Sequence, residues 1–205
     1  AARPGHGKTS YACNIIDIAL RLDHPVVFFS FDDDARLALR RLACIHAGVP
    51  YRQATAGRLS PEAKDRYFEA LKWLGASPLQ IYTNRSLSPI QCRAKLQALL
   101  CGRFRGTRPL VVVDFLQKQA HTVENAAQLD ATSRVALAST QWKDTLEELD
   151  LPGLVLAQIN RDGAGREPAL ENIKQCGGIE EDAYGVILLW RAYRDDPQRP
   201  ANQVQ

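Results

Sequence analysis

Residues Ala2–Ser10, "ARPGHGKTS", have the residue types and the spacing of a loop that binds phosphate. They fit the pattern G-x-x-x-x-G-K-[ST], with Gly7, Lys8 and Thr9 in place and Ala2 where the first glycine usually stands. Backbone N–H groups must converge on the phosphate in such a loop, so glycine is needed where a side chain would block the approach. We predict that Lys8 reaches the β- and γ-phosphates of a nucleotide and that Thr9 holds Mg²⁺. The predicted nucleotide-binding residues are Ala2, Arg3, Pro4, Gly5, His6, Gly7, Lys8, Thr9 and Ser10.

A second candidate is Asp114, which ends the apolar run "LVVVD". Ligands of open α/β sheets bind in the crevice at the carboxyl ends of the strands, where this carboxylate would lie. Asp114 by itself would be an ordinary strand-ending aspartate. Because the chain also carries a phosphate loop, we predict that Asp114 holds Mg²⁺ together with Thr9.

Two further polar groups follow apolar runs. Three acids, Asp32, Asp33 and Asp34, follow "FFSF", and one of them could orient and deprotonate an attacking water. The other two are expected to lie in solvent and to cap the next helix. Gln158 ends "LVLAQ". Its amide could sense a γ-phosphate, or it could be a plain strand-ending glutamine; the residues alone favour neither.

The elements that must position these groups alternate between helix and strand, which predicts an α/β fold: a mostly parallel sheet with helices on both faces. Helical spacing follows the loop, in "TSYACNIIDIALRL", and again from about Glu124 to Leu149. Ser-Pro pairs at Ser60 and Ser88 predict two further helix starts. The predicted strands are Val26–Phe31, "PLVVVDFLQ", "GLVLAQI" and "YGVILLW". One domain over residues 1–205 accounts for them, and we interpret the chain as a fragment because no strand precedes the loop.

Composition excludes few classes of function. The net charge of +3 permits a nucleic-acid partner without requiring one. Five scattered cysteines without a C-x-x-C pair favour a reducing compartment, hence a cytoplasmic location, and predict neither a disulfide framework nor a cysteine metal site. No stretch has the length of a membrane span, so we expect no membrane partner.

Together these motifs resemble the ATPase domain of the bacterial and phage replicative DNA helicases of the DnaB type. The resemblance rests on "ARPGHGKTS", "FFSFDDD", "SLSPIQCRAKLQAL", "VVVDFLQ", "LAQINR" and "PALENIKQCGGIEEDAYGVILLWR", in that order and spacing. It implies a RecA-like P-loop NTPase fold, ATP and Mg²⁺ as cofactors, and a homohexameric ring that unwinds DNA by moving along one strand. It also implies single-stranded DNA, a primase and a helicase loader as partners.

The resemblance also implies roles for individual residues. Lys8, Asp32 and Gln158 match the catalytic group, with Asp32 in place of a glutamate and Gln158 as the γ-phosphate sensor. The residues that match the grip on the single-strand backbone are Lys174, Gln175 and Gly177, with Arg161 in the preceding loop. Lys174 and Gln175 stand where the family has Arg and Glu. The family's arginine finger lies beyond the last predicted strand.

Two other functions stay open. A recombination-type or clock-type RecA-like ATPase would use the same loop and strand-end acid, although the stretch from Pro168 to Asp182 favours the helicase. A DNA-binding ring that has lost hydrolysis is compatible with the substitutions at Asp32 and Lys174.

Overall fold

The centre of the protein is a sheet of four parallel strands. The computed structural model describes residues 1–159, 168–169 and 178–191. Its strands are β1 (Val26–Ser30), β2 (Leu79–Tyr82), β3 (Leu110–Asp114) and β4 (Gly153–Val155), in the spatial order β2-β1-β3-β4. Every pairing is parallel, and the register sets Ser30 of β1 beside Asp114 of β3. The two strands that precede the predicted acids therefore end at the same edge of the sheet.

Eight helices surround this sheet in the described part of the chain. They are α1 (Lys8–Arg21), α2 (Ala35–Ala47), α3 (Tyr51–Thr55), α4 (Pro61–Ala76), α5 (Pro89–Cys101), α6 (Leu116–Gln119), α7 (Ala131–Glu148) and α8 (Ile179–Asp182). Short 3₁₀ turns at Ala120–Thr122 and Ala126–Gln128 connect α6 to α7. At the start of four helices, a capping side chain accepts a hydrogen bond from the backbone N–H of the third helical residue. The capping residues are Asp34, Ser60, Ser88 and Asp130. The starts predicted at Ser60 and Ser88 are confirmed.

Apolar side chains pack on both faces of the sheet, as the continuous apolar runs predict. Val27 and Phe29 of β1 point to the layer that holds α5 and α7, where the rings of Phe29 and Trp142 lie 5.4 Å apart. Val26 and Phe28 point to the opposite layer, built on α1, α2 and α4. The predicted α/β architecture with helices on both faces is therefore confirmed.

Three expectations about elements were wrong, and one strand was missed. The predicted strand "PLVVVDFLQ" is a strand only over Leu110–Asp114, and its last two residues belong to α6. The long helix begins at Ala131 rather than near Glu124, because Asn125 adopts a left-handed conformation and Asp130 caps the helix. Strand β2 was not predicted, since four residues are too short to show a clear period. The predicted strand "YGVILLW" forms no regular strand: within the described residues only Leu189 pairs, in a single bridge to Ala2, and Tyr184 is 95% exposed.

The phosphate-loop segment enters the sheet at Ala2. Ala2 is fully buried and forms parallel bridges with Gln158 on one side and Leu189 on the other. Within the predicted strand "GLVLAQI", regular pairing ends at Val155. Beyond it, Gln158 forms a single isolated bridge, to Ala2. Among the residues that the structure describes, no helix has both the length and the apolar character needed to cross a membrane.

Candidate functional site

The loop before α1 has the backbone that a phosphate cradle requires. Gly5 and Gly7 have φ values of 77° and 97°, in the region that favours glycine. A Cβ on Gly7 would lie 2.8 Å from Nη2 of Arg191, so the end of that side chain would have to shift to make room for it. No side chain caps the start of α1 at Gly7. The amides of its first turn and its positive end therefore point toward the loop, where an anion would bind.

A cavity of about 460 Å³ opens in front of this loop. Its lining joins the loop to the carboxyl edge of the sheet: Arg3, Pro4, Gly5, Gly7, Lys8, Thr9, Ser10, Asp32, Arg41, Phe115, Lys118, Gln158 and Arg191. Among the described residues, five of these side chains are cationic and one is acidic. An excess of positive charge in a concave site attracts a multiply charged anion, such as a nucleoside triphosphate.

Lys8, which lines the cavity, forms a salt bridge with Asp114, which does not line it. Lys8 Nζ donates to Asp114 Oδ1 at 2.9 Å and lies 3.6 Å from the centre of the Phe115 ring. Asp114 is fully buried, and its Oδ2 has no hydrogen-bond partner among the described residues. A buried carboxylate oxygen of this kind fits a ligand for Mg²⁺ or for one of its bound waters, since Mg²⁺ prefers oxygen ligands. Thr9 lines the same cavity.

The three acids after β1 separate into different roles. Asp34 caps α2 by accepting from the Leu37 amide at 2.8 Å. Asp33 accepts from Arg41 Nε at 2.5 Å. Asp32 lines the cavity, and its Oδ1 lies 3.6 Å from Lys118 Nζ. The expectation that one acid faces the crevice fits the structure, and Asp34 caps α2 as expected. Asp33 was also expected to lie in solvent and cap the helix, but its side chain is only 14% exposed and pairs with Arg41 instead.

The negative charge of Asp33 also holds Arg41 in the wall of the cavity. Although burial disfavours its charged form, the hydrogen bond and the negative charge of Asp33 raise the pKa of the Arg41 guanidinium. The guanidinium also lies 4.9 Å from the centre of the Tyr51 ring. Arg41 is therefore a fixed cation beside the cavity.

Gln158 lines the cavity, and its peptide group is held from both sides. The side chain of Gln117 donates to the Gln158 carbonyl at 2.7 Å and accepts from the Gln158 amide at 2.9 Å. Ala2 pairs with the other side of the same segment. The backbone position of the predicted phosphate sensor is thus tied to both the phosphate loop and the segment after Asp114.

Some predicted residues are not at the cavity. Ala2 and His6 were predicted to bind nucleotide, but both are buried and neither lines the cavity. Ala2 is used in strand pairing, and His6 Nδ1 accepts from the Arg191 amide at 3.1 Å. The four predicted DNA-binding residues, Lys174, Gln175, Gly177 and Arg161, lie outside the described residues.

Sequence reasoning missed four residues of the site: Gln117, Lys118, Arg41 and Arg191. Gln117 and Lys118 follow Asp114 within four positions, so proximity to the strand end was a usable signal. Arg191 directly follows the apolar run "VILLW" and could have been found in the same way. Arg41 lies in the middle of α2, where nothing in the sequence separates it from its neighbour Arg40.

Comparisons with known proteins show which families and folds this chain resembles. A family model described as the DnaB-like helicase C-terminal domain matches residues 1–205. The replicative DNA helicase DnaB of Geobacillus stearothermophilus is 30% identical over 203 residues, which are 96% of this chain and 42% of that protein. The replicative DNA helicase DnaC of Bacillus subtilis is 29% identical over 203 residues, again 96% of this chain and 42% of that protein. The chain therefore spans less than half the length of these relatives.

Two solved structures have a similar fold. One, described as an ATPase domain, superposes with a TM-score of 0.88 at 22% identity, over 98% of this chain and 71% of that one. A DnaB-like replicative helicase, solved in a study of its interactions with primase, superposes with a TM-score of 0.89 at 22% identity. That match covers 98% of this chain and 48% of the other. At 22% identity these likenesses concern the fold alone.

Proposed function

The chain belongs to the family of DnaB-like helicase C-terminal domains, and from this premise we propose that it hydrolyses ATP to drive a replicative DNA helicase. Residues 1–205 would be the ATPase domain of a longer subunit, since the chain covers 42% of its Geobacillus relative. The observation that carries the proposal is the cationic cavity in front of the phosphate loop, whose lining residue Lys8 is paired with the buried Asp114. It combines a cradle for phosphates with a buried carboxylate for a metal ion.

The phosphate-binding part of the site does the positioning. The amides of the glycine loop and the first turn of α1 bind the phosphate oxygens, and Lys8 supplies a mobile positive charge. In the structure Lys8 is paired with Asp114 at 2.9 Å. A bound γ-phosphate would compete with Asp114 for the ammonium group, so Lys8 moves between the two anions.

Thr9 and Asp114 would hold Mg²⁺, which neutralises charge on the β- and γ-phosphates when it is bound. The buried Oδ2 of Asp114 supports this assignment. Asp32 orients and deprotonates the attacking water, and its place in the cavity lining beside Lys118 supports that role. The side-chain amide of Gln158 hydrogen-bonds the γ-phosphate. When hydrolysis removes that phosphate, the hydrogen bond is lost and the segment after Gln158 can move.

The proposal includes the partners that the family implies. ATP binds between subunits of a homohexamer, and single-stranded DNA passes through the ring. Lys174, Gln175, Gly177 and Arg161 contact the phosphates of the DNA backbone without reading bases. A primase and a helicase loader bind the complete subunit, in the cytoplasm. The relative solved in a study of its interactions with primase supports the first of these two partners.

The decisive experiment measures ATP hydrolysis by the intact subunit with and without single-stranded DNA. We expect DNA-stimulated hydrolysis by the parent and a loss of at least about a hundredfold in Lys8→Ala, because Lys8 stabilises the transferring phosphoryl group. Lys72→Ala is the matched control, since Lys72 lies on α4, away from the cavity. Equal rates for the parent and Lys8→Ala would overturn the assignment of the phosphate loop.

A titration with single-stranded DNA tests the proposed DNA-binding residues. We expect Lys174→Ala to weaken single-strand binding equally for all sequences and to flatten its dependence on salt, because a phosphate contact releases counterions. Binding that is unchanged throughout a salt titration would remove Lys174 from the DNA site. Tight DNA binding by a parent that does not hydrolyse ATP would instead favour a ring protein that has lost hydrolysis.

A further inference from the structure

The side chain of Gln117 takes the place of a missing strand neighbour for Gln158. Strands β3 and β4 pair in register as far as Val113 and Val155, and Leu116 N–H still donates to the Leu156 carbonyl at 2.9 Å. After Leu116 the backbone turns into α6 and no longer runs beside Gln158. Without another partner, the backbone N–H and carbonyl of Gln158 would make no hydrogen bonds on that side. Leaving partly buried backbone groups unpaired costs free energy of folding.

Gln117 satisfies both backbone groups at once. Its Nε2 donates to the Gln158 carbonyl at 2.7 Å, and its Oε1 accepts from the Gln158 amide at 2.9 Å. A carboxamide presents one donor and one acceptor side by side, as a peptide group of a neighbouring strand would. The opposite edge of the same segment is held by Ala2, whose N–H donates to Ala157 and whose carbonyl accepts from Ile159, both at 3.1 Å. Gln158 is therefore fixed in register between two parts of the nucleotide site.

The helix that carries Gln117 is itself anchored. Leu116 is fully buried, and the side chain of Gln119 donates to the Leu87 carbonyl at 3.0 Å and accepts from Trp142 at 2.6 Å. Lys118, between these anchors, is the residue that lies near Asp32. One short helix after Asp114 therefore contacts both the proposed base and the proposed phosphate sensor.

We propose that Gln117 is a positioning residue that holds Gln158 at a fixed place relative to Asp114 and the phosphate loop. The inference rests on the proposed ATPase function. Gln117 does not line the cavity; it acts through the backbone of Gln158, which does. Loss of the clamp lets the sensor shift, while the loop and α1 still bind the nucleotide.

The first test is Gln117→Leu, which removes both hydrogen bonds and replaces the carboxamide with an apolar side chain of broadly similar size. In the intact subunit with single-stranded DNA, we expect kcat to fall by about tenfold to a hundredfold, the effect of displacing a reacting group by roughly 1 Å. The KM for ATP is expected to stay within about twofold of the parent, because ground-state binding depends on other groups. A rise in KM at constant kcat would overturn the proposal.

A second test uses protonation to rescue the clamp. In Gln117→Glu the carboxylate still accepts from the Gln158 amide but faces the Gln158 carbonyl without a proton to donate. Protonation of the carboxyl group restores the donor. Partial burial and the facing carbonyl disfavour the carboxylate, so the pKa of this glutamate should lie well above the ordinary value of about 4.3. We therefore expect the ratio of the variant's kcat to the parent's to rise at least about threefold between pH 8 and pH 6. Gln128→Glu makes the same change at an exposed residue of the following turn, and its ratio is expected to stay constant.

Hydrogen exchange separates this inference from the proposed function. The amide of Gln158 should exchange at least about tenfold faster in Gln117→Leu than in the parent, whether or not the protein hydrolyses ATP. Unchanged exchange would overturn the clamp. Faster exchange in a protein whose parent is no more active than Lys8→Ala would uphold the clamp and overturn the ATPase assignment. A Gln117→Glu variant with the parent's kcat at pH 8, where its carboxylate is charged, would assign Gln117 a packing role only.

Discussion

Lys8 makes contacts within the protein in addition to its predicted contact with a phosphate. Its ammonium group is bonded to Asp114 at 2.9 Å and lies over the Phe115 ring, and its side chain is only 10% exposed. Removing one partner of a buried ion pair leaves a charge without compensation. We expect Lys8→Met to lower the free energy of unfolding by about 3 kcal/mol, measured by urea denaturation.

A double-mutant cycle tests the cause of that loss. If the uncompensated charge of Asp114 is responsible, Asp114→Asn added to Lys8→Met should restore more than half of the lost stability. Lys118→Met is the control, because the pair of Lys118 with Asp32 is exposed and is expected to contribute about 1 kcal/mol or less. Additive losses at Lys8 and Asp114 would contradict this explanation.

Of the three acids after β1, Asp32 is the one that lines the cavity. Asp33 is engaged by Arg41, and Asp34 by the start of α2. We expect Asp32→Asn to lower the DNA-stimulated kcat by about a hundredfold or more, because an amide cannot accept a proton from water. Asp32→Glu should keep or raise kcat, since the longer side chain reaches further into the cavity from a fixed strand end.

The comparison with Asp33→Asn locates the base. That variant should change kcat by no more than about threefold, because it removes only a contact to Arg41. A parental rate for Asp32→Asn together with a large loss for Asp33→Asn would transfer the role of base to Asp33.

At the scale of elements, α2 depends on Asp34. Its carboxylate accepts from the Leu37 amide, one of the unpaired amides of the first turn. We expect Asp34→Ala to lower the free energy of unfolding by about 1 kcal/mol, measured by thermal or urea denaturation, with kcat unchanged. Asp65→Ala, an exposed change inside α4, should leave stability unchanged or slightly raised. A loss of kcat in Asp34→Ala at full stability would place Asp34 in the site.

The elements that the sequence predicted well are those with strong local signals. The helix starts at Ser60 and Ser88 are marked by a capping serine and a proline. Strands β1 and β3 are marked by continuous apolar runs. The predicted strand over residues 184–190 failed because a strand needs a paired neighbour. In the described residues it has only a single bridge, between Leu189 and Ala2, and hydrogen bonds to Ala1.

The site was predictable where its residues lie in a motif and less so where tertiary structure assembles it. The phosphate loop and Asp114 carry their own sequence signals. Arg41 reaches the cavity only because α2 packs beside the loop, and Gln117 matters only because β4 ends opposite α6. Such residues need the three-dimensional arrangement of the strand ends before their role can be seen.

At the scale of the whole molecule, two apolar layers share one sheet. Cys13 of α1 is fully buried in one layer, and Cys92 of α5 is fully buried in the other. Burial raises the pKa of both thiols to about 12 from an ordinary value of 9.0. At pH 8 their reactive thiolate fraction is therefore about a thousandfold smaller than that of an ordinary thiol, before access is considered.

These two cysteines report whether the layers unfold together. We expect an alkylating reagent at pH 8 to modify the exposed Cys101 in the native protein and to leave Cys13 and Cys92 protected. In rising urea, Cys13 and Cys92 should become reactive in one transition, because strands β1 and β3 contribute side chains to both layers. A nucleotide analogue that binds the folded state should shift both midpoints upward by the same amount, as linkage requires. Mass spectrometry of the labelled peptides gives each midpoint separately. Exposure of Cys92 at a lower urea concentration than Cys13 would show that the layer of α5 and α7 opens on its own.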